Sequence, residues 1–323
     1  MTSPAPAVAP GVRRLQVPNP YFEGQNNVYL LEGEPLTLID AGINTPLSLA
    51  ALESGLHSLG YAPEELEQIV LTHKHLDHFG LARSLQECSG ARVYIHQADW
   101  DEVTHFEATH AQVTRRYRAF LAEWGVPAEL IGSLAFLRKD YSRLARSVAA
   151  KPLSDGQHLQ LSQGELIVIH TPGHTCGSAC FQCDRLLFSG DHLLPNYTPN
   201  IGATDMESGQ LLSQYLGSLE KIRRLRGIEL VLPGHGEPIS DIAARISAIE
   251  AHHRERSGKI LEILTGGRPQ TVYQIALQLF GQLRDHHVLL GCGEVWAHLE
   301  ALIEGGQVEQ ATSDPGRYLA GRK

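Results

Sequence analysis

The chain has 323 residues, 42% of them apolar and 20% charged, which is enough for a sizeable core and excludes a disordered chain. A formal charge of −9 argues against nucleic acid as the default partner, and no apolar run approaches the roughly 18 residues that a membrane span needs. Five cysteines, odd in number and unpatterned, argue against a disulfide scaffold and favour a reducing, cytoplasmic setting.

Residues 1–12 read as a frayed tail without the apolar stretch of a secretory signal. From Val17 short β-type runs begin, with a hairpin turning at Glu32, Gly33, Glu34 and Pro35. A helix over 46–60, a strand over 67–73, a helix stopped by Gly90 and the strand ARVYIH then alternate, as in a layered α/β fold. Residues 98–150 differ: helical periodicity with breaks near Gly125 and Gly132 predicts a helical insertion of three helices. Strands resume over 152–235, interrupted by a helix over 208–225. Beyond Pro238 the pattern predicts helices over 241–264, 271–280 and 291–305 and a two-stranded wing. The spacing therefore predicts a first domain over 1–240, carrying the insertion, and a second over 241–323.

The segment LTHKHLDHFG places His73, His75, Asp77 and His78 at the end of a predicted strand. Imidazole and carboxylate suit zinc or iron. In extended chain alternate residues point to one side, so His73 and His75 can share a metal. Asp77 and His78 fall where the chain turns into a helix and can reach a second ion. A helix cap for Asp77 and a solvated loop for the histidines are the plainer alternatives. Three later segments add a candidate ligand each, in a loop after an apolar strand: His174 in IVIHTPGHTCGS, Asp191 in LLFSGDHLL and His235 in LVLPGHGEP.

This order, HxHxDH followed by His, Asp and His, resembles the metallo-β-lactamase superfamily over about residues 17–240. The resemblance implies a four-layer αβ/βα sandwich and two divalent metal ions per chain, zinc foremost, with iron or manganese as alternatives. It implies that His73, His75 and His174 hold the first ion, that Asp77, His78 and His235 hold the second, and that Asp191 bridges them. Asp40, in LIDAG, matches the family's carboxylate that orients ligands from outside. The implied chemistry is hydrolysis by a hydroxide shared between two ions, with Asp77 orienting it and accepting its proton.

An aspartate at 191 resembles glyoxalase II, lactonases, phosphodiesterases and RNase Z; true β-lactamases usually carry Cys or Ser there. No glutathione motif of glyoxalase II is present. Only 43 residues separate Asp191 from His235, too few for the nucleases with a large insertion at that point. The expected reaction is hydrolysis of a thioester, ester or lactone of a small molecule. A phosphodiesterase or ribonuclease, and a mono-iron sulfur dioxygenase using His73, His174 and Asp191, are the alternatives.

The C-terminal segment resembles the winged helix of some lactamase-like hydrolases. With 9 basic and 10 acidic residues over 241–323, and three glutamates and no base in its third helix, it is not expected to read duplex DNA. Its apolar stripe, Trp296, Leu299 and Leu302, calls for burial within the chain or in a homodimer. The insertion carries Arg115, Arg116, Arg118, Arg138, Lys139, Arg143 and Arg146, which suit an anionic substrate if the insertion acts as a lid. His192 and Tyr197 are candidate pocket residues. His105, His110, His252, His253, His286, His287 and His298 read as ordinary surface or core histidines, and Cys180 and Cys183 as two packed strand residues.

Overall fold

The computed structural model describes residues 7–20, 24–135, 137, 143–162, 164–203, 205 and 209–321. Arg138 and Lys139 lie outside the described residues. The first sheet runs in chain order through β1 (Ala7–Ala9), β2 (Val12–Asn19), β3 (Gly24–Leu31), β4 (Thr37–Ile39), β5 (Gln68–Val70), β6 (Arg92–His96) and β7 (Ala150–Leu153). β1 to β4 pair antiparallel and β4 to β7 parallel. The second sheet comprises β8 (His158–Leu161), β9 (Gly164–His170), β10 (Ala179–Cys183), β11 (Leu186–Gly190) and β12 (Leu230–Pro233), in the order β12-β11-β10-β9-β8.

The two sheets face each other through Tyr29, Ile39 and Val70 on one side and Val168, Phe181 and Phe188 on the other. Outside the first sheet lie α1 (Pro46–Ser58), α2 (Leu76–Phe79) and α3 (Ala82–Ser89), of which α1 and α3 bury Leu52, Leu56 and Leu85 against Leu38, Ile69 and Val93. Chain signals set their ends: Thr45 caps α1 by accepting from the Ser48 amide, and Gly90, at φ 72°, stops α3. Outside the second sheet, α7 (Leu211–Arg223) and the first half of α8 (Ile242–Leu264) bury Tyr215, Leu219, Ile246 and Ile249. This is the expected four-layer αβ/βα sandwich.

Strand direction gathers the loops. β10 is antiparallel to β9 and to β11, and β11 is parallel to β12. The chain therefore leaves β9, β11 and β12 at the same edge, which brings 171–177, 191–203 and 234–236 together.

The insertion contains α4 (Gln97–Thr104), α5 (Phe106–Glu123) and α6 (Ala128–Ser133), and it joins two neighbouring parallel strands, β6 and β7. Its Leu121 and Trp124 share one core with Ile260, Leu264, Val272, Ile275, Val295 and Leu299 of the C-terminal segment. That segment continues after α8 through β13 (Gln270–Thr271), α9 (Val272–Phe280), α10 (His286–Glu304), β14 (Val308–Ser313) and β15 (Gly316–Ala320). Thr271 caps α9 with Gln274 in a reciprocal capping box. Leu299 and Leu302 are buried, and the half-buried Trp296 ring lies 6.0 Å from that of Tyr318. No helix among the described residues is long and apolar enough to cross a membrane.

Three expectations need correction. Residues 7–9 are not frayed: they pair with β2, because the hairpin's outer edge offers free backbone groups. The wing has a third strand, β13, paired with β15. The last helix begins at His286, not 291, and runs through Gly291 and Gly293. Gly293, inside this helix, marks a close approach. A Cβ there would lie 2.6 Å from the Gly202 carbonyl oxygen, and a Cβ on Gly202 would lie 2.5 Å from the Gly293 carbonyl oxygen. Helix α10 thus rests backbone to backbone on the loop before α7.

Because one core serves the insertion and the C-terminal segment, damage on one side should unfold both. Trp124→Ala is expected to cost about 3–5 kcal/mol in denaturant unfolding, in one cooperative transition. A loss below about 1 kcal/mol, or a separate early transition, would contradict the shared core.

Candidate metal centre

Strand β5 ends at Val70, earlier than the sequence predicts, and the chain then turns through Thr72, His73 and His75 into α2. His75 occupies the position before that helix, and Asp77 and His78 lie within it, all with buried or half-buried side chains. Asp77 is therefore not the helix cap. The loops after β9, β11 and β12 bring His174, Asp191 and His235 to the same place.

The donor atoms form two adjoining groups. His75 Nδ1 lies 3.0 Å from His73 Nε2 and 3.0 Å from His174 Nε2, and Asp191 Oδ2 lies 3.6 Å from His174 Nε2. In the second group Asp77 Oδ2 lies 3.3 Å from His235 Nε2 and 3.7 Å from His78 Nε2. Asp191 Oδ1 stands 3.4 Å from His78 Nε2 and 3.7 Å from His235 Nε2, so it adjoins both groups. Each group is compact enough to hold a metal ion. Gly234 makes the approach possible: a Cβ there would lie 2.6 Å from Asp191 Oδ1 and 2.7 Å from the His78 ring.

The tautomers are fixed from outside. The His78 Nδ1–H donates to Asp40 Oδ2 at 2.8 Å, that of His174 to the Asn200 carbonyl at 2.9 Å, and that of His235 to the Gln25 carbonyl at 3.1 Å. Thr72 Oγ1 donates to Asp40 Oδ2 at 2.8 Å, so it accepts from the His73 Nδ1–H at 3.0 Å. Four histidines thus present Nε2 to the centre, the orientation that metal-ligating imidazoles take from their outer partners. His78 Nε2 and Asp191 Oδ1 are fully buried and make no hydrogen bond, although they face each other. Two buried polar atoms left in this way fit a cation between them.

The electrostatics divide the histidines. Burial pushes His75 down to about 3, helped by His174, and burial with the neighbouring histidines pulls His73 well below its ordinary value. Both are neutral donors. For His78 burial acts downward but Asp191, Asp77 and Asp40 outweigh it, and it is raised. His235 is likewise raised to about 9, with Asp191 and Asp77 outweighing burial. Burial would raise the Asp77 and Asp191 carboxyls, but His78 and His235 outweigh it and hold both below the usual carboxylate range.

Several supporting residues have no signature in the sequence. Asn19 and Asn26, on the β2–β3 hairpin, each donate to Asp77 Oδ2 at 3.1 Å. Asp99, on α4, ties two ligand loops together. It accepts from the Lys74 amide at 3.0 Å, from Thr175 Oγ1 at 2.7 Å and from the Gly177 amide at 2.8 Å. Lys74 lies between His73 and His75 with its ammonium on Glu102 and Asp205. Its alternation with two candidate ligands was the available signal, since period two turns it to the opposite side.

The other expected site residues make contacts of their own. The His192 ring is buried against Tyr215, 5.1 Å between centroids, so it faces the core and not a substrate cleft. Tyr197 is half-buried, and its carbonyl accepts from Arg245 at 2.7 Å. Arg146 pairs with Glu87 at 2.6 Å, and Arg118 donates to the Leu137 carbonyl at 3.3 Å. His253 and His298 are core histidines, as expected, and with Glu294 they form a further buried cluster.

Residues 21–235 match the model of the metallo-beta-lactamase superfamily. The chain is similar to a "probable metallo-hydrolase" of Bacillus subtilis, 29% identical over 293 residues, covering 89% of this chain and 91% of that protein. It is also similar to an atrochrysone carboxyl ACP thioesterase of Aspergillus fumigatus, 23% identical over 261 residues, covering 80% of this chain and 48% of that protein. The crystal structure of a metallo-beta-lactamase family protein of Thermus thermophilus superposes with a TM-score of 0.82 at 32% identity, covering 97% of this chain and all of that one. Together with the paired groups of imidazole and carboxylate donors, these matches establish the chain as a metallo-hydrolase that belongs to the metallo-β-lactamase superfamily.

Proposed function

We propose that the chain hydrolyses a small activated acyl compound, a thioester, ester or lactone, at a centre of two divalent ions. His73, His75 and His174 hold one ion, Asp77, His78 and His235 hold the other, and Asp191 is shared. The observation that carries this reading is the pair of buried atoms, His78 Nε2 and Asp191 Oδ1, that face each other at 3.4 Å between the two donor groups without a hydrogen bond. Zinc suits these donors. Two such ions supply hydroxide from water near neutral pH and polarise the scissile carbonyl.

The chain's residues do the remaining work. Asp40 and Thr72 hold His73 and His78 in the ligating tautomer. Asp77 is kept ionised by His78, His235 and two asparagine donors, which makes it a weak base. It orients a water by accepting its hydrogen and does not store the proton. Thioesters come first among the substrates because a relative is named as an acyl-carrier-protein thioesterase. The segment beyond 240 serves packing and not duplex recognition, since α10 is engaged on the sandwich. The five cysteines form no disulfide, which suits the cytoplasm.

Proton and metal compete for the second group. His235 is raised to about 9 from an ordinary value of 6.5 when no ion is bound. A folded-state value above the unfolded one stabilises fully below pH 6.5 and is lost as pH rises through 9. That contribution is on the order of 3 kcal/mol. Metal-stripped protein should therefore lose thermal stability between pH 6.5 and 9, and zinc-loaded protein should not, because the ion replaces the proton. Thermal melts of both forms across that range check this. A flat or rising profile for the stripped protein would contradict it.

The reading itself is tested by a panel of acyl thioesters, lactones, phosphodiesters and β-lactams on zinc-loaded protein. At least one acyl compound should reach a kcat/KM of about 10⁴ M⁻¹s⁻¹, with no acyl-enzyme trapped on quenching. Turnover confined to phosphodiesters or β-lactams, or oxygen uptake with a single iron, would overturn it.

A further inference from the structure

The loop 191–203 ends against α10, and the contact reaches the candidate ligand His174. The Asn200 carbonyl accepts the His174 Nδ1–H at 2.9 Å. The Asn200 side chain donates from Nδ2 to the Leu290 carbonyl at 3.1 Å and to Glu294 Oε2 at 3.3 Å, and the Ile201 amide donates to the same oxygen at 3.3 Å. Glu294 thus holds donors on both sides of the carbonyl that sets the His174 tautomer. The Gly202–Gly293 approach allows this, because no side chain separates helix from loop.

Glu294 is itself held. It is 6% exposed, Arg256 donates to its Oε1 at 3.3 Å, and His298 Nε2 lies 3.7 Å from the same oxygen. His298 is fixed in turn by Ser257 at 2.8 Å and by His253 at 3.3 Å. Burial works against the charge of Glu294, but His298, His253 and Arg256 outweigh it and keep the carboxyl below its usual range. Since the Arg256 guanidinium already neutralises this carboxylate, the three buried side chains form a brace and not a third cation site.

We propose that Glu294 is a positioning residue for the metal centre: from the C-terminal helix it fixes Asn200, and through the Asn200 carbonyl it sets the orientation and tautomer in which His174 binds its ion. This rests on the two-ion reading above. The C-terminal segment, on this view, completes the centre and is more than an appended domain.

The test is cobalt(II) binding to the full chain, followed by visible absorption and by chelator competition, which resolve two steps in the wild type. His174→Ala identifies the first-group step by abolishing it. Glu294→Gln should weaken that step about 10- to 100-fold, change its absorption band and leave the other step unchanged. Asn200→Ala keeps the carbonyl but removes the Nδ2 clamp, and should move the same step less. Leu302→Ala takes packing from the same helix without touching Asn200 and should leave both affinities unchanged while lowering stability. If Glu294→Gln fails to fold, Asn200→Ala carries the test alone. Wild-type affinities at both steps in Glu294→Gln and Asn200→Ala, or equal weakening of both steps, would overturn the inference and leave the two-ion reading standing. A wild type that binds no ion, or one, would overturn both.

Discussion

Carboxylates removed from water need positive charge close by, and the whole structure is arranged around that requirement. Asp40, Asp77 and Asp191 are all buried at the edge of the sandwich, within reach of five buried or half-buried imidazoles. The carboxylates raise His78 and His235 against burial, while burial and the neighbouring imidazoles lower His73 and His75. Divalent ions would answer the same demand more fully, and would make use of the His78 and Asp191 atoms that hydrogen bonding leaves unsatisfied.

The fold supplies the convergence that this chemistry needs. Parallel strand directions deliver the loops to one edge, and cross-links then hold them there. Asp99 joins the His73–His75 turn to the His174 loop, Asn26 joins the β2–β3 hairpin to Asp77, and the Asn27 amide donates to the Gly234 carbonyl at 2.7 Å beside His235. Each link spans a large sequence separation, so the centre forms only when the layers have docked. The insertion takes part through Asp99 and Glu102 of α4, and its later helices share a core with the C-terminal segment. The insertion and the C-terminal segment therefore brace the candidate ligand loops from behind.

The candidate ligands stood out because their spacing is local: His73, His75, Asp77 and His78 fall within six residues, and each later candidate follows a short apolar strand beside glycine. The layer architecture was legible from alternating strand and helix patterns. Asn19, Asn26, Asp99 and Asn200 were not, because their importance comes from tertiary pairing and a lone polar residue carries no period. The role of Gly293 was hidden for a related reason: it serves a contact with residues some ninety positions earlier. His192 misled because adjacency to a ligand in sequence does not give adjacency in space: the next side chain along the loop turns into the core against Tyr215.

The most direct measurement is anomalous diffraction at the zinc edge from crystals of the zinc-loaded chain and of its Asp191→Asn variant. The expected map for the wild type has two peaks. One lies among His73, His75, His174 and Asp191, and the other among Asp77, His78, His235 and Asp191, with both weakened in the variant. A single peak, a peak outside these groups, or a variant that keeps both at full occupancy would contradict a centre built on a shared buried carboxylate.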